Sequence, residues 1–515
     1  MVHSMQTSWE NMSFWIDTTV SHQYPRVAQD ISTDVLVIGA GISGLTTAYN
    51  LINKWFKVTI IDDGYIGSGE TGRTTAHLSY ALDDRYFDLI KTFWIKKTKL
   101  IGHSHKDAID TIEQIVQKEN IECEFKRLDG YLFLHPTDSI ASLRKEARSL
   151  QRLKLPCERT EEIPGIDQKG PAIRFPNQGQ FHSMQYLQGL AKAIADKGWD
   201  IYIKSKGEDI SSQGARANGY TINARYIVVA TWAPVSERLL VIHKLWSYRT
   251  YAIGATIKKN DNQDYLRWDT GEKERTAQPY HYARMVDYDA THNLLIVGGE
   301  DHITGQAENE HLPEQERYAK LISWTKKKFP DIEEVVYTRS WQIQEPVDAI
   351  AYIGKSPLEE NIYIITGDSG NGITYGTMAW SLLSDEILGK YNELSSIYSP
   401  TRSPLSVPKE YATHVLNMAK QYKDWFTSGD KDSYNNIKKN SGAIIRHGLH
   451  KRAVYRDEKG KLKKFSAVCP HLGGIVRRND DEKSFDCPCH GSRFDTEGTC
   501  INGPAASGLE SIDTE

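Results

Sequence analysis

The sequence predicts an α/β protein with a second, small all-β domain at its C-terminal end. Two strand–glycine turn–helix patterns, at residues 34–54 and 362–388, are typical of a sheet that binds a nucleotide. Strand-like runs between these patterns predict a further, antiparallel sheet. After a proline-rich boundary, short strands and turns surround two loops with paired cysteine and histidine residues.

The composition is that of an ordinary globular protein with more than one domain. Its 515 residues suffice for two or three domains, with 25% charged and 10% aromatic residues. The net charge of −4 gives no general attraction to nucleic acid or anionic lipid. No apolar run reaches the roughly 18 residues that span a bilayer, and the N-terminus lacks a basic-then-apolar leader. We therefore expect a cytoplasmic protein without a membrane span or a nucleic-acid partner.

The first strand–turn–helix unit contains a dinucleotide-binding motif. An apolar run at 34–38 is followed by Gly-Ala-Gly-Ile-Ser-Gly at 39–44 and a helix-compatible segment to about Lys54. Glycines let the backbone approach a pyrophosphate, which the free N–H groups of the helix N-terminus bind. A second strand, 58–61, ends at an acid that would accept hydrogen bonds from a ribose. The predicted contacts are Gly39, Gly41, Ser43, Gly44, Asp62 and Asp63.

Three further stretches favour FAD over a nicotinamide dinucleotide. Residues 68–77 form a polar, glycine-broken loop, and residues 225–231 read as a strand that returns to the nucleotide sheet. Residues 362–374 form a strand and glycine turn, and the helix after them could direct its N-terminus at the electron-rich end of a flavin. Each stretch alone is more simply a turn, but their order around one GxGxxG favours a flavin. The predicted FAD contacts here are Thr71, Gly72, Arg73, Thr74, Thr75, Ala76, His77, Thr231, Gly370, Gly372, Ile373 and Thr374.

The C-terminal segment has two loops that each contain one cysteine and one histidine. Cys469 and His471 lie in the first loop, and Cys487 and His490 lie in the second. Two thiolates and two imidazoles are the ligands of a Rieske [2Fe–2S] centre, with the cysteines on one iron and the histidines on the other. Tetrahedral zinc uses the same donors, but a zinc finger usually separates its cysteines from its histidines. We therefore predict an iron–sulfur centre, with zinc as the alternative.

These motifs resemble two known families. Residues 14–390 resemble the D-amino-acid-oxidase-like flavoproteins, which include glycine and sarcosine oxidases, and the cysteine–histidine loops resemble the Rieske proteins. A flavoprotein of this type with a C-terminal Rieske domain matches a bacterial subgroup of the first family. The resemblance implies an FAD-binding Rossmann-type domain with an antiparallel-sheet substrate domain in residues 14–398 (substrate segments about 85–200 and 240–345), a linker and helix at 399–428, and an all-β Rieske domain at 429–515.

The predicted helix of the linker, from about Lys409 to Phe426, has an apolar stripe. The stripe should clamp the small domain onto the large one. It consists of Tyr411, Val415, Met418, Tyr422 and Trp425.

Departures from the two families predict properties of the cofactors. Rieske proteins of quinol-oxidising complexes have a disulfide beside the cluster, formed by a second cysteine in each loop. Here Cys489 occupies one of these two positions, but Gly474 occupies the other. Those proteins also have a tyrosine where this chain has Phe494, two residues after Ser492, so we expect a lower reduction potential. Some amine dehydrogenases of the flavoprotein family tether FAD to a histidine where this chain has Arg73, so we expect non-covalent FAD.

Strands over the flavin face supply the candidate substrate contacts. Arg249, Tyr251 and Arg284 could hold a carboxylate by bidentate hydrogen bonds, although each such residue alone is more commonly a surface ion-pair partner. Tyr280 and Gln344 complete the candidate set. No general base is predicted, because an uncharged amine can lose hydride directly.

The predicted pair of cofactors implies electron transfer. The family resemblance implies an FAD-dependent dehydrogenase or oxidase that oxidises a C–N bond of a small-molecule amine or amino acid. Electrons would pass singly to the cluster and then to an external acceptor. Two alternatives stay open: a reductase in which electrons flow from cluster to flavin to substrate, and a non-catalytic electron-transfer protein.

Overall fold

The computed structural model describes residues 11–233, 241–260, 264–274, 277–307 and 312–512. In these residues the helices are, in chain order, α1 (Phe14–Asp17), α2 (Ile42–Ile52), α3 (Tyr86–Glu119), α4 (Ile140–Leu153), α5 (Ser183–Asp196), α6 (Glu314–Lys328), α7 (Gly372–Ile387), α8 (Ser395–Tyr398) and α9 (Pro408–Gln421). The strands are β1 (Ile31–Ile38), β2 (Val58–Ile61), β3 (His77–Leu78), β4 (Lys126–Phe133), β5 (Glu158–Thr160), β6 (Ala172–Gln180), β7 (Asp200–Tyr202), β8 (Glu208–Ser211), β9 (Gly214–Ala217), β10 (Tyr220–Val229), β11 (Leu245–Lys258), β12 (Leu266–Asp269), β13 (Tyr282–Asp287), β14 (His292–Ile303), β15 (Ile332–Pro346), β16 (Tyr352–Lys355), β17 (Ile362–Thr366), β18 (Ser441–His447), β19 (His450–Arg456), β20 (Leu462–Ser466), β21 (Arg477–Asn479), β22 (Ser484–Asp486), β23 (Arg493–Phe494) and β24 (Cys500–Asn502). No helix in these residues combines the length and the apolar character needed to cross a membrane.

The first sheet has the dinucleotide-binding strand near its centre. Its strand order is β16-β17-β10-β1-β2-β7, and the hairpin β8–β9 continues from β10. Strands β17, β10, β1, β2 and β7 run parallel, whereas β16 is antiparallel to β17. Strand β1 is buried from Val35 to Ile38, as expected of a parallel strand that is covered on both faces. The carboxyl ends of β1, β2, β10 and β17 therefore meet at one edge of the sheet.

The second sheet has nine strands and is mixed. Its order is β15-β11-β14-β13-β12-β4-β6-β3, with β5 paired to β6. Every pairing is antiparallel except that of β12 with β4. The sheet is thus largely antiparallel, as predicted, with one parallel pairing. Strands β4 and β12 are far apart in the chain, so no tight turn forces them to run in opposite directions.

An ion-pair cluster lies beneath α6, on the sheet face that is turned away from the nucleotide sheet. His281 Nδ1 lies 2.9 Å from Asp269 Oδ2, and His281 Nε2 lies 3.3 Å from Glu300 Oε1. Trp324 of α6 stacks on the imidazole at 4.5 Å between ring centroids. Burial opposes the charge on His281, but the two carboxylates outweigh burial and raise its pKa to about 9. The protonated histidine thus joins strands β12 and β14.

The C-terminal segment forms two small antiparallel sheets, β18-β19-β20 and β21-β22-β23-β24. Helix α9 lies between this segment and the nine-stranded sheet. Its buried residues are polar, not the expected apolar stripe: His414 packs on Trp246 at 4.4 Å, and Gln421 accepts a hydrogen bond from Arg477. Val415 of the stripe is 39% exposed.

Three stripe residues nevertheless contact the two parts of the chain, as predicted. The ring of Tyr411 lies 6.2 Å from that of His243, and Tyr422 OH and Trp425 Nε1 donate hydrogen bonds to the carbonyl oxygens of Leu472 and Gly473 at 2.6 and 2.9 Å. The helix ends at Gln421, and Tyr422 and Trp425 follow it in a short 3-10 turn.

Candidate functional site

A cavity of about 510 Å³ extends from the carboxyl edge of the parallel sheet to the nine-stranded sheet. The turns that follow β1, β2, β10 and β17 all contribute to it, because the carboxyl ends of parallel strands meet at that edge. The predicted FAD contacts that line it are Gly39, Gly41, Ser43, Asp62, Asp63, Thr71, Thr74, Thr75, His77, Thr231, Gly370, Gly372 and Ile373.

The start of α2 suits a pyrophosphate. Gly41, at the N-cap position, has no side chain to cap the helix and lines the cavity, and the N–H of Ile42 donates to Thr71 Oγ1 at 3.3 Å. Gly39 has a φ of 111°, and a Cβ there would lie 2.4 Å from the carbonyl oxygen of Ala230, so the close turn requires glycine. The N-terminus of α2, which favours an anion, therefore faces the cavity.

The carboxylate of Asp62 stands at the end of β2, where a ribose would lie. Its Oδ2 accepts a hydrogen bond from the backbone N–H of Ala40 at 2.7 Å, and its Oδ1 accepts one from Gly64 at 2.8 Å. Burial, with repulsion from Asp63, raises the pKa of Asp62 to about 7. The two backbone bonds hold the carboxyl group at the cavity wall. The N-terminus of α2 and the carboxyl group of Asp62 together fit the pyrophosphate and the ribose of FAD.

The two cysteine–histidine loops have matching backbone turns. Gly473 N–H donates to Cys469 O, and Gly491 N–H donates to Cys487 O, each at 3.0 Å. Both glycines have positive φ, 75° and 76°. The rings of His471 and His490 lie 4.9 Å apart between centroids. Two thiols and two imidazoles at the tips of paired turns fit a [2Fe–2S] centre.

Gly474 faces the third cysteine of this region. A Cβ at residue 474 would lie 2.6 Å from the sulfur of Cys489. Cys489, like the other cysteines of the chain, is not part of a disulfide.

Family models match both parts of the chain. Residues 34–385 match the DAO family of FAD-dependent oxidoreductases, and residues 430–513 match the Rieske [2Fe–2S] domain. The chain belongs to the DAO family. It is an FAD-dependent oxidoreductase that ends in a Rieske domain, and its cofactors are FAD and a [2Fe–2S] cluster.

The relatives of this DAO-family oxidoreductase agree with both assignments. The Bacillus subtilis protein YhfW, whose name describes a Rieske 2Fe-2S iron-sulfur protein, is 29% identical over 513 residues, or 98% of each chain. The gamma-glutamylputrescine oxidoreductase of Escherichia coli is 23% identical over 386 residues, which cover 71% of this chain and 86% of that protein.

Solved structures show the same fold in the flavoprotein part. Glycine oxidase from Geobacillus kaustophilus superposes with a TM-score of 0.57 at 17% identity, covering 72% of this chain and 99% of its own. The L-amino acid deaminase from Proteus vulgaris gives a TM-score of 0.57 at 14% identity, covering 75% and 100%.

Five predicted FAD contacts do not line the cavity, and they form the wall behind it. A Cβ on Gly44 would lie 1.9 Å from Gly39 O, so this glycine permits close packing of α2 on the preceding turn. The Arg73 guanidinium is buried and donates to the carbonyl oxygen of Gly69 at 3.1 Å. Thr374 Oγ1 instead lies 2.7 Å from His105 Nδ1. The other two residues absent from the lining are Gly72 and Ala76.

Arg249 and Tyr251 were expected to contact substrate, and the structure corrects this. Thr250 of β11 lines the cavity, and successive residues of a strand point to opposite faces, so both neighbours point away from it. The Arg249 guanidinium contacts Asp486 of the Rieske domain, with Nη2 2.5 Å from Oδ2. Tyr251 packs on Tyr318 beneath α6.

Arg284 and Gln344 also lie outside the cavity lining. Arg284 donates from Nη1 to the carbonyl oxygens of Thr75 and Ala76, at 3.1 and 2.6 Å, and so supports the flavin loop from behind. Gln344 Oε1 lies 3.1 Å from Ser247 Oγ. Of the five candidates, Tyr280 lines the cavity.

Several residues that line the far end of the cavity are not among the contacts predicted from the sequence. They are Asp83, Arg85, Trp268, Tyr282, Asp301 and Trp341. Tyr280 OH donates to Asp83 Oδ1 at 2.6 Å, across 197 residues of chain. In the sequence, the charged run Asp83-Asp84-Arg85, a few residues after the loop 68–77, is the feature that could have predicted polar side chains at this end of the cavity.

The Rieske domain contacts the cavity in two ways: Asp495 and residues 499–503 line it directly, and the His490–Gly491 loop reaches its wall through a glutamine. Gln342 of β15 lines the cavity, and its Nε2 donates to Gly491 O at 2.9 Å. Its Oε1 is buried and has no hydrogen-bond partner among the described residues. Next to it, Ser247 Oγ donates to His490 O at 2.9 Å. The loop of one predicted cluster ligand therefore contacts the wall of the cofactor cavity.

Proposed function

We propose that this protein is an amine or amino-acid dehydrogenase in which electrons pass from the flavin to the Rieske cluster and then to an external acceptor. In the reaction, the C–H bond next to nitrogen breaks, and the hydride and the N–H proton leave to give an imine, which water hydrolyses. When bound, FAD would accept two electrons from the substrate, and the cluster would carry one electron at a time. The external acceptor takes both electrons in turn.

The contact of Gln342 with the His490–Gly491 loop carries this proposal. It leaves one side chain between the cavity and the backbone beside a predicted cluster ligand. His490 is 4% exposed, whereas His471 is partly exposed beside Leu472, which is 55% exposed. The buried histidine therefore faces the flavoprotein part, and the partly exposed one faces outward, where an acceptor can approach.

Residues of this chain would also control protonation and water at the reacting centre. Burial, with the charge of Arg284, lowers the pKa of His77 to about 3, so His77 is neutral and cannot act as an acid near neutral pH. Aromatic rings of Trp268, Tyr282 and Trp341 line the far end of the cavity and limit its water. The gamma-glutamylputrescine oxidoreductase and glycine oxidase relatives support oxidation at a C–N bond.

Anaerobic stopped-flow mixing with a panel of amines and amino acids tests this function. We expect loss of the oxidised flavin absorbance first, followed by the electron paramagnetic resonance signal of the reduced cluster. Flavin that is reduced while the cluster stays oxidised would contradict transfer between them. Cluster reduction that requires an external reductant, with electrons then reaching the flavin, would support the reversed direction. No flavin reduction by any compound would overturn the dehydrogenase function and favour a role as an electron carrier.

A substitution at the contact tests the route. Gln342→Leu should slow cluster reduction about tenfold or more after flavin reduction, because it removes the hydrogen bond that holds the loop against the cavity wall. Gln188→Leu is the matched control, since Gln188 is also buried but bonds the backbone of His22 away from both sites. Equal rates of cluster reduction in the two variants would exclude this route.

A further inference from the structure

A segment of the Rieske domain forms part of the wall of the FAD cavity. Residues 499–503, which include β24, line the cavity together with Asp62, Asp63 and Lys206. Burial raises the pKa of the Cys500 thiol to about 12, and the charges of Lys206 and Asp63 also act on it, so the thiol lies near both. Asp63 directly follows Asp62, which stands where a ribose would lie. The segment therefore reaches the nucleotide half of the FAD site.

Two hydrogen bonds join the segment and the residues after it to the flavoprotein part. Asn502 Nδ2 donates to Glu70 Oε1 at 3.0 Å, across 432 residues of chain. Glu70 precedes Thr71, whose Oγ1 accepts an N–H of α2 at 3.3 Å. Lys206 Nζ donates to the carbonyl oxygen of Ala506 at 3.3 Å. The segment is thus bound both to the loop beside the pyrophosphate end and to the loop beside the ribose end.

The segment is also fixed to the core of the Rieske domain. Asp495 Oδ1 accepts hydrogen bonds from the backbone N–H groups of Glu497 and Thr499, each at 2.8 Å, and closes the turn before β24. Strand β24 pairs with β23, and after it the N–H of Ala505 donates to Ser492 Oγ at 3.0 Å. The cavity wall at residues 499–503 therefore moves together with the domain that holds the predicted cluster ligands.

A ligand that contacts both sides of an interface stabilises the joined arrangement. The joined arrangement in turn binds the ligand more tightly by the same factor, because the coupling free energy is shared. The nucleotide half of FAD would lie between the turns after β1 and β2 on one side and residues 499–503 on the other. Binding of FAD and docking of the Rieske domain should therefore depend on each other.

We propose that the Rieske domain completes the FAD site, with residues 499–503 in contact with the nucleotide half of the bound cofactor. FAD binding then stabilises the docked Rieske domain, and the docked domain slows the release of FAD. The cluster would be held firmly against the flavin cavity in protein that contains FAD and loosely in protein that lacks it. This inference depends neither on the substrate nor on the direction of electron flow.

The rate of FAD release from the full chain tests the first half of the inference. Release is followed after dilution by the fluorescence of free flavin. Asn502→Asp should release FAD about tenfold faster, because a second carboxylate beside Glu70 repels it and opens the interface. Asn502→Leu removes the hydrogen bond without adding a charge and should release FAD about threefold faster.

A matched control and a spectrum assign the effect to the segment. Asn436→Asp places the same charge on an exposed position of the Rieske domain and should leave the release rate unchanged. The electron paramagnetic resonance signal of the reduced cluster checks that the Rieske domain is folded in each variant.

Hydrogen–deuterium exchange of the natural chain tests the second half. Removal of FAD should raise the exchange rate of peptides that cover residues 495–503 about tenfold. Peptides of the β18–β19 hairpin are the internal control, because its residues do not line the cavity, and they should change by less than about threefold.

Four results would overturn the inference. The first is a release rate within about twofold of the natural protein in both Asn502 variants while the cluster signal is intact. The second is the same acceleration in Asn436→Asp as in Asn502→Asp. If the Asn502 variants lose the cluster signal, exchange decides: an unchanged rate at residues 495–503 after removal of FAD would overturn the inference. An equal increase in the β18–β19 hairpin, which indicates general unfolding, would do the same.

Discussion

The Arg249–Asp486 ion pair joins the nine-stranded sheet to the Rieske domain, and its removal should loosen this interface. Both side chains are almost fully buried, 1% and 2% exposed. Arg249→Met leaves a buried carboxylate without one of its two cations. Breaking a buried pair in this way costs about 3–5 kcal/mol.

The structure favours the lower end of this range. Asp486 would keep its contacts with Arg493 at 3.3 Å, Ser484 at 2.7 Å and Asn479 at 3.1 Å. A cost of about 3 kcal/mol corresponds to roughly a hundredfold larger population of the opened interface.

Hydrogen–deuterium exchange measures this population. Peptides that cover β11 and residues 484–494 should exchange on the order of a hundredfold faster in Arg249→Met. Lys192→Met is the control, because the Lys192–Asp196 pair is 61% exposed on both sides and should contribute less than about 0.5 kcal/mol. An increase below about threefold in Arg249→Met, or the same increase in the control, would refute the reasoning.

Three further predictions concern the cluster and the sheet. Phe494→Tyr should raise the midpoint potential of the cluster by on the order of 40 mV, the equivalent of a hydrogen bond of about 1 kcal/mol to the reduced centre. A redox titration measures this shift, with Phe465→Tyr as the control. An unchanged potential in Phe494→Tyr would contradict the prediction. Gly474→Cys should form a disulfide with Cys489, because the two Cβ positions lie 3.6 Å apart, within the range of disulfides. The intact mass of the protein before and after reduction detects the bond. Two free thiols in the oxidised sample would rule it out. The pKa of His281 is raised to about 9 from an ordinary value near 6.5, so its stabilising charge is present below about pH 6.5 and is lost as the pH rises through 9. The thermal midpoint should therefore fall across that interval in the natural protein, and a fall of the same size in His281→Gln would exclude this cause.

Local sequence was enough for the parts of the site whose chemistry depends on near neighbours. The turn at Gly39 and Gly41, the acid at Asp62 and the cysteine–histidine loops each lie within a few residues of the element that positions them. Backbone conformation and donor type are properties of such short segments, so residue type and spacing predict them. The DAO family and the Rieske domain follow from these segments.

The side-chain directions that define the substrate end needed the tertiary structure. Arg249 lies next to the cavity-lining Thr250, yet strand alternation turns it to Asp486, which is 237 residues away. Gln342 and Gly491 are in contact although they lie 149 residues apart in the chain. A local sequence pattern does not predict which face of a strand contacts which distant loop. A shift of one residue in register would exchange the two faces. Which residues meet a substrate is therefore decided by sheet register and domain packing, whereas the types of cofactor are decided by short stretches of chain.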